Sequence, residues 1–317
     1  MNPQIEKLYQ IASKKNRRIL GLMSGTSLDG LDIALCNIEH SGFETELKVE
    51  YFTTIPYTTL FREQLSSFIH SENTNLQQVC IMDELISSTF AKLIKNALAE
   101  WKVKADHIDL IASHGQTVYH APARHHKIAG VGNATLQIGD GDKIAVETGV
   151  ITISDFRQKH IAAGGEGAPL APYGDYLLFS EPDEDVILLN IGGIANFTYL
   201  PAGRDPEKII CSDTGPGNTM MDAVMRKYFN KVNFDDEGKM AAQGKVNQKL
   251  LDELMDNDFF KMSLPKTTGT ELFNILYVEN AIQILGLHSL SRVDIMATLN
   301  YLTSLTITDC IRKLLQP

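Results

Sequence analysis

Cysteine is scarce in this sequence. The four residues, Cys36, Cys80, Cys211 and Cys310, are far apart. That excludes a disulfide framework and leaves no metal-ligand spacing, so a reduced, intracellular protein is the simplest reading. Long apolar runs are missing too. No stretch approaches the roughly 18 apolar residues that span a bilayer. Residues 1–16 are polar and charged, without an apolar core of signal-peptide length. The expected location is the cytoplasm, with no membrane partner. Positive charge is in deficit. The 29 Lys and Arg against 39 Asp and Glu leave a net charge of −10, which argues against nucleic acid as a partner. No repeat recurs at a fixed short period. What is present is a chain of 317 residues, 44% hydrophobic and 21% charged, in the range of a globular protein with two domains.

The most informative stretch is GLMSGTSLDGLDIA, from Gly21 to Ala34. Apolar residues flank it on both sides, so it reads as the tight turn of a β-hairpin, with hydroxyls and carboxylates at the tip. Such a loop can wrap phosphates with backbone N–H groups while a carboxylate orders a hydrated Mg²⁺. It is not a Walker A loop, because no Gly-Lys-Ser/Thr follows. Nor is it a Rossmann fingerprint, because the spacing differs and the next element reads as a strand. A plain hairpin turn at Asp29-Gly30 is the alternative.

Organisation along the chain narrows the choice. Residues 17–24, 31–38 and 46–55 read as an antiparallel meander, and 61–70 and 79–101 as helices. Residues 108–113 form an apolar strand that ends at SHGQT, and 150–154 a strand that ends at Asp155-Phe156-Arg157. Residues 163–174, rich in Gly, Ala and Pro, read as a loop where the chain passes between domains 1–170 and 171–317. In the second half, 186–190 reads as a buried strand leading into GGIAN, and 208–212 as a strand leading into DTGPGN. Residues 220–229, 248–256, 271–285 and 294–315 have helical character. Polar, Gly-containing segments thus sit repeatedly at the ends of apolar strands, the arrangement of a ligand cleft.

Asp155 is the best candidate for a general base, with Arg157 expected nearby to hold it ionised. His114 is either a base or, as the better reading, a hydrogen-bonded histidine that positions a loop. The cluster of His120, Arg124, His125 and His126 matches no standard zinc spacing. Ser24, Ser27 and Ser113 lack a nucleophile-elbow setting, which disfavours Ser-His-Asp hydrolysis.

The ordered set GLMSGTSLDGLD, SHGQT, IGDG, DFR, AAGGEGAPL, NIGGIANFT and DTGPGN closely resembles the anhydro-N-acetylmuramic acid kinases over roughly residues 17 to 275. The resemblance implies an α/β, two-domain actin-like (ribonuclease H-like) ATPase fold with an interdomain cleft. It implies a cytoplasmic enzyme of bacterial peptidoglycan recycling. That enzyme opens the 1,6-anhydro ring of anhydro-N-acetylmuramic acid with water and phosphorylates O6 with Mg-ATP, giving N-acetylmuramic acid 6-phosphate. Asp155 matches the family's catalytic aspartate. Gly25, Thr26, Ser27, Leu28, Asp29, Gly30, Leu31 and Asp32 match its ATP-binding segment, with Asp29 on the Mg²⁺. Gly192, Gly193 and Asn196 fit a second phosphate loop, beside Asp213, Gly215 and Gly217. His114, Gln116, Arg157 and Glu271 fall on the sugar side. A homodimer is also implied.

Two departures stand out. Thr270 occupies a position where the family usually has Arg. Family members generally continue well beyond a point like Pro317, and that further part carries a Gly-rich turn for adenine and ribose. The C-terminal domain is therefore expected to be truncated. The alternatives are a catalytically impaired or regulatory protein of the same fold, and another sugar kinase of the superfamily.

Overall fold

The computed structural model describes residues 2–25, 28–69, 73–229 and 232–315. The chain divides into two compact units, residues 1–171 and 172–317, both of mixed α/β character.

The first unit opens with helix α1 (Pro3–Ser13), then strands β1 (Asn16–Ser24), β2 (Gly30–Glu39) and β3 (Glu46–Pro56). Successive side chains in a strand point to opposite faces. Leu20 and Leu22 of β1, and Leu31, Ile33 and Leu35 of β2, therefore all enter one core, with exposures of 0–4%. The antiparallel register sets Leu20 opposite Leu35 and Leu22 opposite Ile33. Helices α2 (Thr59–Ile69) and α3 (Leu76–Glu100) follow. Asn75 and Gln78 cap the start of α3 reciprocally, satisfying two otherwise orphaned N–H groups. One face of α3 buries Ile86, Phe90 and Ile94 completely. These helices form the crossover that lets strand β4 (Leu110–Ala121) run parallel to β1, since parallel neighbours need a long connection.

Beyond β4 come α4 (Ala123–His126), β5 (Ala134–Ile138), α5 (Gly141–Thr148), β6 (Thr152–Ile153) and α6 (Phe156–Ala162). The strand order is β3-β2-β1-β4-β5, with β6 also paired to β4. β4 changes partner along its length. Ile111 and Ala112 pair with Thr152 and Ile153 of β6, whereas Gln116 pairs with Ile138 of β5. This corrects two expectations. SHGQT is not a loop after a strand but the middle of β4, because β5 continues the ladder there. The strand expected over 150–154 shrinks to two residues, because β5 takes over that edge of β4. The short helix α6, directly after Asp155, carried no period long enough to be read.

The chain enters the second unit through α7 (Ala171–Phe179), whose first turn falls in the stretch 163–174 read as loop. An antiparallel sheet follows, β7 (Val186–Ile191), β8 (Ile194–Leu200) and β9 (Ile210–Pro216). β7 is an edge strand rather than a buried one, with Leu189 43% and Ile191 50% exposed. Then come α8 (Thr219–Tyr228), α9 (Gln248–Met255), α10 (Asp258–Lys261), α11 (Ile275–Ile284) and α12 (Arg292–Leu314). α11 starts later than expected because Asn274 caps it, its side chain accepting from the N–H groups of Leu276 and Tyr277. The core holds Phe259, Phe260, Phe273 and Tyr277, with edge-to-face contacts between Phe259 and Phe273 and between Phe273 and Tyr277. Lys266, 4% exposed, donates to the Phe259 carbonyl at 3.0 Å, and its ammonium sits 4.2 Å from the Phe259 ring centroid.

Phe90 fills the core of the first unit, so Phe90→Ala should cost about 3–5 kcal/mol in urea denaturation. Phe52→Ala, at a side chain 61% exposed on β3, should shift the midpoint far less. Equal losses would overturn this assignment of the core.

Candidate functional site

Where β4 exchanges β6 for β5, the sheet parts and a cavity of about 440 Å³ opens, within the size range of small-molecule sites. His114 and Gly115 of β4, Gly139 and Asp140 after β5, and Ser154 and Asp155 after β6 line it. Gly115 has φ +72°, and a Cβ there would lie 2.8 Å from the Ile138 carbonyl oxygen, so only glycine fits the crossing. Two carboxylates in the wall are already engaged. Asp83 accepts from the Gly139 N–H at 2.6 Å, and Asp140 caps α5 through the Lys143 N–H at 3.0 Å.

Asp155 differs. It stands at the N-cap position of α6 with φ +60°, and its side chain makes no capping bond. It is exposed, and no ion pair involves it among the described residues. A non-glycine residue in the left-handed region costs on the order of 1–3 kcal/mol, a strain that collects at functional positions. The Asp155 carboxylate stands at the cavity wall.

The expected Asp155–Arg157 pair does not form. Arg157 turns to β4 instead, where its Nε–H donates to His114 Nε2 at 2.9 Å and its Nη1–H to the Gly167 carbonyl at 2.6 Å. His114 Nδ1 is 2.9 Å from the Gly115 carbonyl. An imidazole that accepts at Nε2 and donates at Nδ1 is neutral. Burial, with the Arg157 charge adding to it, pushes the His114 pKa below its ordinary value.

The β1–β2 turn is held from behind. Thr26 and Ser27 lie outside the described residues. Ser24, 1% exposed, hydrogen-bonds to Gln116 Oε1 and, at 2.6 Å, to the Tyr57 hydroxyl. Gln116 is fully buried, and its Nε2 donates to the carbonyls of Gly25 (3.4 Å) and Thr117 (3.2 Å). Tyr57, a residue that no sequence signal marked, has its pKa pushed up to about 12, chiefly by burial, so its hydroxyl keeps its proton. Leu28 (φ +57°) and Leu31 point into the core. Asp32 lies in β2 and accepts from the Thr54 hydroxyl at 2.6 Å. Asp29 is the open carboxylate of this turn, 71% exposed and 3.8 Å from Arg62.

In the second unit the glycines lock two chain segments together. The N–H groups of Gly217 and Thr219 donate to the Gly193 carbonyl at 2.9 and 3.2 Å, and that of Asn218 to the Gly192 carbonyl at 2.8 Å. A Cβ on Gly217 would collide with the Gly192 carbonyl oxygen. Thr270 and Thr219 flank Gly193. Asn196 faces Asn190 across β7 and Asp213 across β9. Asp213 accepts from the Thr268 N–H at 2.8 Å. Burial raises its pKa, and the nearby Glu271 carboxylate adds to the rise. The Glu271 carboxylate lies against Gly269. Gly215 packs on Phe260 and on Thr306 of α12, so it seats a helix rather than opening a loop.

A pH dependence follows from His114. Its folded pKa lies below the ordinary 6.5, so below that value the unfolded chain binds more protons than the folded one. Stability is full above it and falls as pH drops towards the folded value. His114→Gln keeps an acceptor for Arg157 and removes the titration. The fall in Tm from neutral to acid pH should then be shallower than in the wild type, and parallel curves would refute the linkage. His120, also lowered by burial, is common to both proteins and cancels.

Comparison with known proteins bears on the chain as a whole. The family model for anhydro-N-acetylmuramic acid kinase matches residues 17–316. An anhydro-N-acetylmuramic acid kinase of Pseudoalteromonas atlantica is 48% identical over 311 residues, 98% of this chain and 78% of the relative. The namesake from Caldanaerobacter subterraneus is 38% identical over 314 residues, 99% of this chain and 79% of the relative. That from Bacillus thuringiensis is 38% identical over 302 residues, 94% and 77% of the two chains. With the family model matched over residues 17–316 and relatives 38–48% identical across nearly the whole chain, the chain belongs to the anhydro-N-acetylmuramic acid kinase family.

Proposed function

We propose that this protein is an ATP-dependent kinase of the cytoplasm. It opens the 1,6-anhydro ring of anhydro-N-acetylmuramic acid with water and phosphorylates O6, giving N-acetylmuramic acid 6-phosphate for cell-wall recycling. The observation that carries the reading is the unpaired carboxylate of Asp155 at the cavity mouth, in a chain matched to the family over residues 17–316. Asp155 takes a proton from the water that attacks the anomeric carbon. The bond from that carbon to the bridging oxygen breaks, and O6 attacks the γ-phosphate. One centre's leaving oxygen is the next centre's nucleophile, so holding both in one geometry removes a separate encounter. The protein's share is positioning and charge stabilisation.

Backbone N–H groups of the β1–β2 turn would meet the phosphates, and Gly192, Gly193, Asn196, Asp213 and Gly217 would form the second nucleotide-binding region, with Gly215 packed on α12. Among the described residues no group of three His, Cys, Asp or Glu could hold a metal ion. Mg²⁺ does not require such a group, because it is commonly bound through one or two carboxylates together with substrate phosphates and water. Asp29, open on the β1–β2 turn, would hold its hydration shell, and the ion would neutralise charge on the phosphates. His114 and Arg157 belong to the sugar side, Gln116 supports the loop from the interior, and Glu271 stands beside Thr270. The two units are read as the two domains of an actin-like ATPase fold. In support, each contains an antiparallel three-stranded meander, β1-β2-β3 and β7-β8-β9, with a Gly-containing turn between its first two strands.

The test is turnover of the anhydro sugar with Mg-ATP, followed by mass spectrometry. The expected product is ring-opened and 6-phosphorylated, and in heavy-oxygen water the label enters the sugar at C1 and not the phosphate. Asp155→Asn should lower kcat by about 100-fold or more, the usual range for loss of a general base. Undiminished turnover would refute the role of Asp155, and absence of turnover by the folded chain would refute the kinase reading.

A further inference from the structure

β4 and β6 run parallel, with Ala112 opposite Ile153. Two residues further along each chain come His114 and Asp155, which both line the cavity. Little backbone structure holds Asp155 there. It sits in the left-handed region between a strand of two residues and a helix of seven. The bond from Arg157 to His114 ties the first turn of that helix to β4. The second bond, from Arg157 to the Gly167 carbonyl, ties the same turn to the Gly-rich segment. That segment is held at three further places. Asn133 donates to the Gly165 carbonyl at 3.0 Å, Arg124 grips Glu166 through two bonds of 2.9 and 3.2 Å, and the Gly167 N–H donates to His160 Nδ1 at 3.2 Å.

We propose that His114 is a positioning residue, an uncharged acceptor that holds Arg157 and through it keeps the Asp155 turn over the cavity. This rests on the reading of Asp155 as the base. His114 Nε2 is occupied by the Arg157 N–H, so the ring does not itself exchange protons with water or sugar. Its work is to present a lone pair to a guanidinium. The fixed planar fork of Arg157 is needed because two acceptors on different segments must be met at once, which a single ammonium does less well.

The experiment compares His114→Phe, His114→Gln, Arg157→Lys and Arg157→Ala. His114→Phe, which keeps bulk and loses the acceptor, should lower kcat about 100-fold, the scale of a misplacement of roughly 1 Å, with little change in KM for the sugar. His114→Gln should recover most of that loss. Added guanidinium should partly restore Arg157→Ala, and Arg157→Lys should fall between wild type and Arg157→Ala. Nitrogen-15 spectra of the wild type should show His114 protonated at Nδ1 alone, and the signal should change in Arg157→Ala. A raised KM with kcat kept in His114→Phe would mean direct contact with sugar and overturn the proposal. So would equal losses in the Phe and Gln variants, or a ring protonated at Nε2. The spectra read the His114–Arg157 bond without turnover. Activity surviving in Asp155→Asn would therefore fault the reading of the base, and a wrong tautomer would fault this proposal.

Discussion

A single strand, β4, has to serve two partners on one edge, and the site of the first unit follows from that constraint. Residues 111–112 satisfy their ladder with β6 and residues 116–121 with β5. Between them the backbone must turn past Ile138, which Gly115 allows through its positive φ. The parted sheet is the cavity, and the side chains at the parting, His114 and Asp155, become its walls. A fully paired sheet would have closed this space with ladder hydrogen bonds.

The same strand also governs the β1–β2 turn. Gln116, two residues beyond His114, is buried and divides its amide between Ser24, Gly25 and Thr117. An unsatisfied amide at that depth would be costly, so the network fixes the base of the turn while leaving Asp29 open to solvent. The buried Tyr57 hydroxyl, kept protonated, completes it. In the second unit a comparable rigidity comes from backbone alone, where the glycines at 192–193 and 217 let two segments approach within hydrogen-bonding distance.

Much of this was legible in the sequence, and the reason is periodicity. In the first meander, Leu20 and Leu22 of β1 and Leu31, Ile33 and Leu35 of β2 recur at every second position. The long helices repeat apolar residues at helical spacing, so both patterns report a buried face locally. Legibility failed where a partner distant in sequence decides. The extension of β4 through SHGQT depends on β5. The exposure of β7 depends on its place at the sheet edge. The helix after Asp155 is too short to show a period. Tyr57 carries no motif and gains its role only by lying against Ser24, 33 residues away.

By itself the sequence determined the family, through the ordered set of motifs, together with the apolar strands of both sheets and the position of Asp155 directly after one of them. Tertiary structure alone decided which group Arg157 serves. Two positions separate it from Asp155 and 43 from His114, yet β4 places the imidazole acceptor within reach while the left-handed turn at Asp155 leaves the carboxylate unpaired. It likewise decided that Gln116 faces inward and that Gly215 seats α12. Local spacing states which residue types are near one another along the chain. Hydrogen-bond partners depend on register and burial, and those are set only when the strands pair.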